Sequence, residues 1–432
     1  MTQYLSDEVN YRKENNAFLA QQVLLKIFKN YPDTFSFKLW DKSELLIGYG
    51  ASKFTITIQS PFVLRDIVMF QDPVKLAEAY FEGLVEVEGD FSAAMNLRYF
   101  LENLKLPFND KISLISRAIK LSNLNPSITS KTNKLPNIKR QNDIESIAFH
   151  YDVSNAFYGL WLDKLMVYSC AYFENPSQSL ETAQTNKLDY ICRKLRLKNG
   201  EHFLDIGCGW GALVCWAAKH YGVKAHGITL SQNQYEYACE EVRKQGLENQ
   251  VKIEILHYRD LPKKPAYDKV SSIGMFEHVG LKNLTTYFSI VNRILKPDGL
   301  FLNHGITSDE PGWGRSTSTK FINRHVFPDG ELDTISNIQN YMEETNFEIF
   351  DVEGLRQHYA LTLRHWVARL EAMHDEVVRL VGQRTYRIWR LYMTGSAIQF
   401  EQGATGIYQI LASPKKKGLP NIPLTRHYLY PS

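Results

Sequence analysis

From about Glu201 onward the chain alternates short apolar runs with amphipathic ones, and this alternation constrains its fold more than any other feature. HFLDIG reads as a buried strand, ALVCWAAKHYG as a helix, KAHGITL as a strand and NQYEYACEEVRKQG as a helix. VKIEILHY and KVSSIGMF follow as a third and a fourth strand, then a helix through Leu295 and GLFLNHGI as a fifth strand. NFEIFDVEGL and IYQILASP close the sheet, and between them residues 356–400 are strongly helical and rich in Arg, Trp, Tyr and Met. Successive βα units pair their strands in parallel. The expectation is an α/β, doubly wound, Rossmann-like sheet with an inserted helical cover.

Asp205-Ile-Gly207-Cys-Gly209-Trp-Gly211 falls where the first strand turns into the first helix. Glycines let the backbone turn tightly and approach a ligand, and a helix N-terminus offers free N–H groups. The spacing is G-x-G-x-G, not the dinucleotide G-x-G-x-x-G. The second strand ends at Thr229-Leu-Ser231 without the acid that would take a ribose diol, which disfavours a dehydrogenase. With an acid two residues before the first glycine, the chain resembles the S-adenosylmethionine-dependent methyltransferases of the seven-stranded class. In that class the glycine loop lies under the methionyl part of the cofactor.

The part before this unit has a different texture. FSFKLW, ELLIGYG, FTITIQS and FVLRDIVMF, within residues 35–70, suggest a small sheet, and residues 73–105 read as helical from Pro73 onward. A stretch dense in Pro, Ser, Thr and Asn then marks a linker. The organisation expected is a small α+β domain over 1–110, a scaffold on its residues alone and lipid-associated only by the family resemblance given below, a basic linker or interfacial segment over 111–140, and a catalytic domain over 141–432.

Charge is uneven although its sum is small. Lys+Arg number 50 against 47 Asp+Glu, a net +3 that argues against a uniformly basic nucleic-acid binder. Yet residues 111–140 hold Lys111, Arg117, Lys120, Lys131, Lys134, Lys139 and Arg140 with no acid. Within them SLISRAIKLSNL interleaves basic and apolar residues at helical spacing, an interfacial-helix pattern whose plain counterpart is a solvated linker. The N-terminus MTQYLSDEVNYRKENN has no apolar leader, and no run reaches the ~18–20 apolar residues of a membrane span. The five cysteines show no zinc-like spacing, so reduced thiols, no metal site and a cytoplasmic protein are expected.

Further strings specify the family. HYDVSNAFYGLWLD (150–163), MVYSCAYF (166–173), LDIGCGWGAL (204–213), ITLSQNQ (228–234), YRDL (258–261), GMFEHVG (274–280), LKPDGLFLNH (295–304) and YALTLRHW (359–366) resemble the cyclopropane-fatty-acyl-phospholipid synthases and the related mycolic-acid cyclopropane synthases. The resemblance spans about residues 140–411. It implies attack of a cis double bond of an unsaturated phospholipid on the sulfonium methyl of S-adenosylmethionine, then deprotonation of the resulting carbocation and ring closure. It also implies a bound bicarbonate as base, held by Cys170, Glu277, His304, Tyr359 and the backbone at Ile306. Asn303 and Gly305 around the histidine depart from the commonest family spelling, and Gly305 bears on the backbone beside Ile306. Taken alone, Cys170 fits a small core residue, His304 a satisfied core histidine and Tyr359 a helix-face aromatic.

Cofactor-binding positions carried over by the resemblance are Tyr168, Ser169, Asp205, Gly207, Gly209, Thr229, Gln234, Tyr258 and Arg259. Phe157, Tyr158, Trp161 and Phe173 serve either the acyl slot and the cation or ordinary core packing. The resemblance further implies a homodimer and transient contact with the inner face of the membrane, with no nucleic acid. Other products compatible with the motifs are a methyl or methylene branch on a lipid chain, or an N-methylated small molecule.

Overall fold

The computed structural model of the chain describes residues 16–70, 73–121, 154–312 and 330–430. It divides into two compact units, Met1–Lys139 with Gly382–Gly395, and Arg140–Val381 with Ser396–Ser432. His150–Val153 of the first family string and residues 122–140 of the basic segment lie outside the described residues.

In the first unit, β1 (Phe35–Lys38), β2 (Glu44–Ile47), β3 (Phe54–Ile58) and β4 (Val85–Gly89) form a sheet in the order β2-β1-β3-β4. β1 runs parallel to β3, and the outer pairs are antiparallel. Phe35 and Phe54 stack at 4.8 Å beneath it. Two details depart from the sequence expectation. FVLRDIVMF is not a strand but the body of the helix Pro61–Phe70. Its β-branched content misleads, whereas Ser60 accepting from Phe62 N and proline at the first position start a helix. Conversely, residues 73–105 are not continuously helical, because β4 pairs along all of β3.

The C-terminal helical cover consists of Arg356–Ala372 and His374–Gln402, the second broken at Gly382, whose φ of 80° leaves the helix. Beyond that break, Arg384, Arg387 and Arg390 share one face within the first unit. Arg384 and Arg387 pair with Glu82 and Glu86, and Arg390 lies 4.0 Å over the Phe91 ring. Helical spacing of three residues produces this row.

The second unit is built on β5 (His202–Ile206), β6 (Lys224–Thr229), β7 (Val251–Ile255), β8 (Tyr267–Ile273), β9 (Leu295–Ser308), β10 (Phe347–Gly354) and β11 (Thr405–Pro414). Their order is β10-β11-β9-β8-β5-β6-β7, the seven-stranded arrangement expected. β7, β6, β5, β8 and β9 are parallel, and only β11 pairs antiparallel, with β9 on one side and β10 on the other. Successive residues of a strand face opposite sides. Thus Phe203, Leu300, Leu302 and Leu411 enter one apolar layer, while Leu204, Phe301 and Ile410 enter the other. No helix of the described residues is long and apolar enough to cross a membrane.

Gly305 on β9 answers a close approach. A Cβ there would stand 2.1 Å from the Phe276 ring, in a strand paired on both sides. Gly305→Ala should therefore destabilise the fold by roughly 1–3 kcal/mol through overpacking. Thermal unfolding checks this, and an unchanged midpoint would contradict it.

Candidate active site

A pocket opens at the carboxyl ends of β5, β6 and β8. Ligands bind at this edge of open α/β sheets because the loops and helix N-termini converge there. Gly207, Gly209 and Gly211 all have positive φ, and Gly211 leads into the helix Ala212–Tyr221. Gly207 N and Cys208 N both donate to Ile228 O, at 3.0 and 2.9 Å, which ties the loop to β6. Trp210 is fixed from outside the loop, its Nε1 donating to Asn155 Oδ1 at 2.8 Å.

Of the nine expected cofactor positions, eight line this pocket: Tyr168, Ser169, Asp205, Gly207, Gly209, Thr229, Gln234 and Tyr258. Asp205 is buried at the end of β5 and accepts from Ser271 Oγ at 2.6 Å. Burial pushes its carboxyl up to about 6, against the pull of Ser271 and Lys187. Thr229 Oγ1 donates to Gln234 Oε1 at 2.8 Å, and Ser231 caps the helix that carries Gln234. Arg259 is the exception: it is exposed, its guanidinium lies 5.5 Å from the Tyr258 ring, and it is absent from the lining.

The five residues of the expected reaction centre are all buried or nearly so, and none lines the pocket directly. Three of them stand next to lining residues in sequence or register. Cys170 follows Ser169, Glu277 precedes His278, and His304 pairs with Ile273. Glu277 Oε1 accepts from Ile306 N at 2.8 Å, so these two meet directly and the Ile306 N–H is already engaged. Glu277 Oε2 has no hydrogen-bond partner among the described residues. Burial raises the Glu277 carboxyl to about 7.

His304 Nδ1 lies 3.3 Å from Gln409 Nε2, the residue opposite it on β11, and His304 Nε2 is unpartnered among the described residues. Burial, reinforced by Lys187 and Lys194, holds the imidazole neutral, well below its usual range. A Gln409 N–H donated to Nδ1 would place the imidazole proton on Nε2. The Cys170 thiol, pushed up by burial, is 3.9 Å from Leu355 O. Ala171 N donates to Thr362 Oγ1 and Phe173 N to His358 Nδ1, each at 3.0 Å, which laces this segment to the helix bearing Tyr359.

Phe157, Tyr158 and Trp161 are fully buried, but they and Phe173 stand behind the pocket wall. Tyr168 connects the two regions: its ring lies 5.7 Å from Tyr158, 5.5 Å from Trp161 and 5.2 Å from Trp366. Trp366 in turn lies 6.0 Å from Tyr359.

Three polar residues escaped sequence reasoning. Asp163 accepts from Leu165 N and Val167 N, both at 2.9 Å, and so shapes the turn in which Met166 takes a φ of 57°. Gln184 Nε2 donates to Ser169 O at 2.9 Å, and Lys187 Nζ donates to Ser169 Oγ at 2.8 Å. The available signal was a Gln and a Lys within the buried stripe of LETAQTNKLDYICRK, where apolar residues are expected.

Residues 138–410 match the family profile described as mycolic acid cyclopropane synthetase, and residues 20–106 match a domain of unknown function. A probable fatty acid methyltransferase of Pseudomonas putida is 40% identical over 401 residues, 91% of this chain and 95% of that protein. The cyclopropane-fatty-acyl-phospholipid synthase of Escherichia coli K12 is 34% identical over 365 residues, 84% of this chain and 89% of that protein. A solved structure, mycolic acid cyclopropane synthase CmaA1 complexed with SAH and CTAB, superposes with a TM-score of 0.59 at 33% identity. That match covers 62% of this chain and 97% of the other. The chain belongs to the mycolic acid cyclopropane synthetase family, and its fold and family are those of S-adenosylmethionine-dependent methyltransferases.

A cationic group bound beside Asp205 would favour its ionised form, so binding of such a ligand should weaken as pH falls below about 6. Calorimetry with S-adenosylhomocysteine between acid and neutral pH checks this. Asp205→Asn should bind more weakly and with a flat profile, and an equally steep profile in the variant would contradict the assignment.

Proposed function

We propose that this protein cyclopropanates lipid: it transfers the methyl carbon of S-adenosylmethionine to the cis double bond of an unsaturated phospholipid acyl chain and closes a three-membered ring. The observation that supports this reading is that three polar residues of the family motifs are buried: Glu277 and His304, whose Oε2 and Nε2 have no partner among the described residues, and Cys170, whose thiol burial keeps neutral. N-methylation of a soluble amine has no use for such a set, whereas an alkene substrate needs a base held away from water.

When bound, S-adenosylmethionine supplies an electrophilic methyl on a sulfonium leaving group. The chain's residues do the rest. The glycine loop, Asp205, Thr229 and Gln234 hold and orient the cofactor. Proximity matters because an isolated alkene is a poor nucleophile. As the new C–C bond forms and the C–S bond breaks, positive charge appears on the other alkene carbon. The neighbouring rings of Tyr168, Trp366 and Tyr359 are the π systems available to stabilise it. Loss of one proton from the transferred carbon lets its electron pair close the ring.

The donor set suits a small anion. Cys170 S–H, His304 Nε2–H and a Glu277 carboxyl protonated for part of the time near neutral pH are all donors in a buried region. A bicarbonate held by these groups with Tyr359 would supply the base, and the Ile306 N–H, already donated to Glu277 Oε1, holds that carboxyl in place. Glu277 must carry its proton for this, because two anions at hydrogen-bond distance repel.

A second reading, a methyl or methylene branch in place of the ring, is favoured by the Pseudomonas putida relative, a probable fatty acid methyltransferase. It starts from the same cation: a 1,2-hydride shift followed by loss of a proton from the transferred carbon gives a methylene branch, and loss of a chain proton instead gives a methyl branch beside a remaining double bond.

The substrate lies in a bilayer, and the helix Phe108–Lys120 suits that encounter. Phe108, Ile112, Ile115 and Ile119 are exposed at spacings of four, three and four, while Leu114 and Ala118 on the opposite face are buried. Lys111 and Lys120 are exposed on the same helix. Each basic residue near an anionic membrane contributes about 1 kcal/mol, so the occupant proposed for this face is an anionic lipid surface.

Purified protein with S-adenosylmethionine and vesicles of cis-unsaturated phospholipid should yield acyl chains heavier by one CH2 and without the double bond, detected by mass spectrometry. Unchanged lipid, or a branched chain, would overturn the ring assignment. Glu277→Gln should lose turnover by ~100-fold or more while still binding S-adenosylhomocysteine, and full turnover in that variant would remove Glu277 from the reaction. Ile112→Asp/Ile119→Asp should sediment less with anionic vesicles than wild type, and equal sedimentation would exclude this helix as the contact.

A further inference from the structure

Lys187 stands in an unusual position. It projects from the buried stripe of the helix Leu180–Lys194 and is 2% exposed. A buried ammonium loses its hydration and needs partners for three N–H donors. Among the described residues its one hydrogen bond runs to Ser169 Oγ at 2.8 Å, and no carboxylate there is close enough to form an ion pair with it. Asp163, Asp205 and the Cys170 thiol act on it only through space, and burial lowers its pKa to about 8. Two N–H donors are thus left over in a residue that lines the ligand pocket.

The opposite charge is also in the wall. Asp205 lines the same pocket, and the glycine loop follows it directly. The pair presents one buried anion and one buried cation to a cofactor whose amino-acid tail carries an ammonium and a carboxylate. We propose that Lys187 is the anchor for the carboxylate of the cofactor's amino-acid tail, with Asp205 facing its ammonium. The inference rests on the cofactor class alone and not on the lipid reaction, so binding tests it whatever the product. The shared chemistry, a planar carboxylate-type anion, also fits free bicarbonate. The cofactor is the assigned source because Lys187 and Ser169 line the pocket whereas Cys170, Glu277 and His304 do not.

Calorimetry on the full chain compares S-adenosylhomocysteine with its decarboxylated analogue, which lacks only the carboxylate. Wild type should prefer the former by roughly 10- to 100-fold, the range for a hydrogen bond to a charged group. Lys187→Met should lose most of that preference by binding S-adenosylhomocysteine more weakly and the analogue as before. An undiminished preference in the variant, or equal weakening of both ligands, would overturn the proposal. So would a variant that keeps its preference and loses only a bicarbonate-dependent heat, which would assign Lys187 to the free anion.

Should the variant fail to fold, wild type carries the test through pH. The groups acting on Lys187 are Asp163 from the turn before Met166, Ser169 and Cys170 beside it, and Asp205 from β5, and His304 on β9 responds to its charge. An anionic ligand favours the ammonium, so the preference should shrink as pH rises through about 8. A preference constant across that range would contradict the assignment.

Discussion

Parallel pairing of β6, β5, β8 and β9 carries every strand-borne position of the site to one edge of the sheet. Each crossover returns the chain to the same starting side, so the carboxyl ends of these strands accumulate together. Asp205, Thr229, Ile273 and His304 arrive there by register, Asp205 opposite Ser271 and Ile273 opposite His304. The antiparallel β11 adds Gln409 beside His304 from the opposite direction. Glu277, Gln234 and Tyr258 sit on the helices and the turn that follow β8, β6 and β7, while Cys170 and Tyr359 come from two further segments, Met166–Phe173 and the helix Arg356–Ala372, which are joined by the bonds of Ala171 and Phe173.

Burial then divides the site into two electrostatic halves. Around the glycine loop, Asp205 and Lys187 are buried and oppositely charged near neutral pH, a setting for a zwitterionic tail. Behind it, burial holds Cys170 and His304 neutral and raises Glu277 into the neutral range. The same desolvation makes one half an ion-binding surface and the other a reservoir of neutral donors. The difference is that Lys187 and Asp205 act on each other in the first, while burial is what raises Glu277 in the second.

The strand and helix sequence after Glu201 was legible because each strand is an apolar run bounded by its turn residues, whereas the nine cofactor positions were carried over by the family resemblance, and eight of them line the pocket. Arg259 was not legible, because adjacency to Tyr258 in sequence does not say that a 3₁₀ turn directs it to solvent. FVLRDIVMF misled because β-branched residues fit a strand, yet Ser60 and Pro61 start a helix that tertiary packing retains. Lys187 was invisible for the opposite reason. A lysine in an amphipathic pattern reads as solvated, and only the fold reveals that its neighbours Gln184, Leu188 and Ile191 are all buried.

The central claim is that the transferred carbon is deprotonated and becomes the apex of a ring. It is tested most directly by supplying S-adenosylmethionine with a trideuterated methyl group together with a cis-unsaturated phospholipid. The account predicts a product acyl chain that keeps two of the three deuteriums and has no remaining double bond. A chain keeping all three in a methyl branch, or keeping two in an exocyclic double bond, would contradict it.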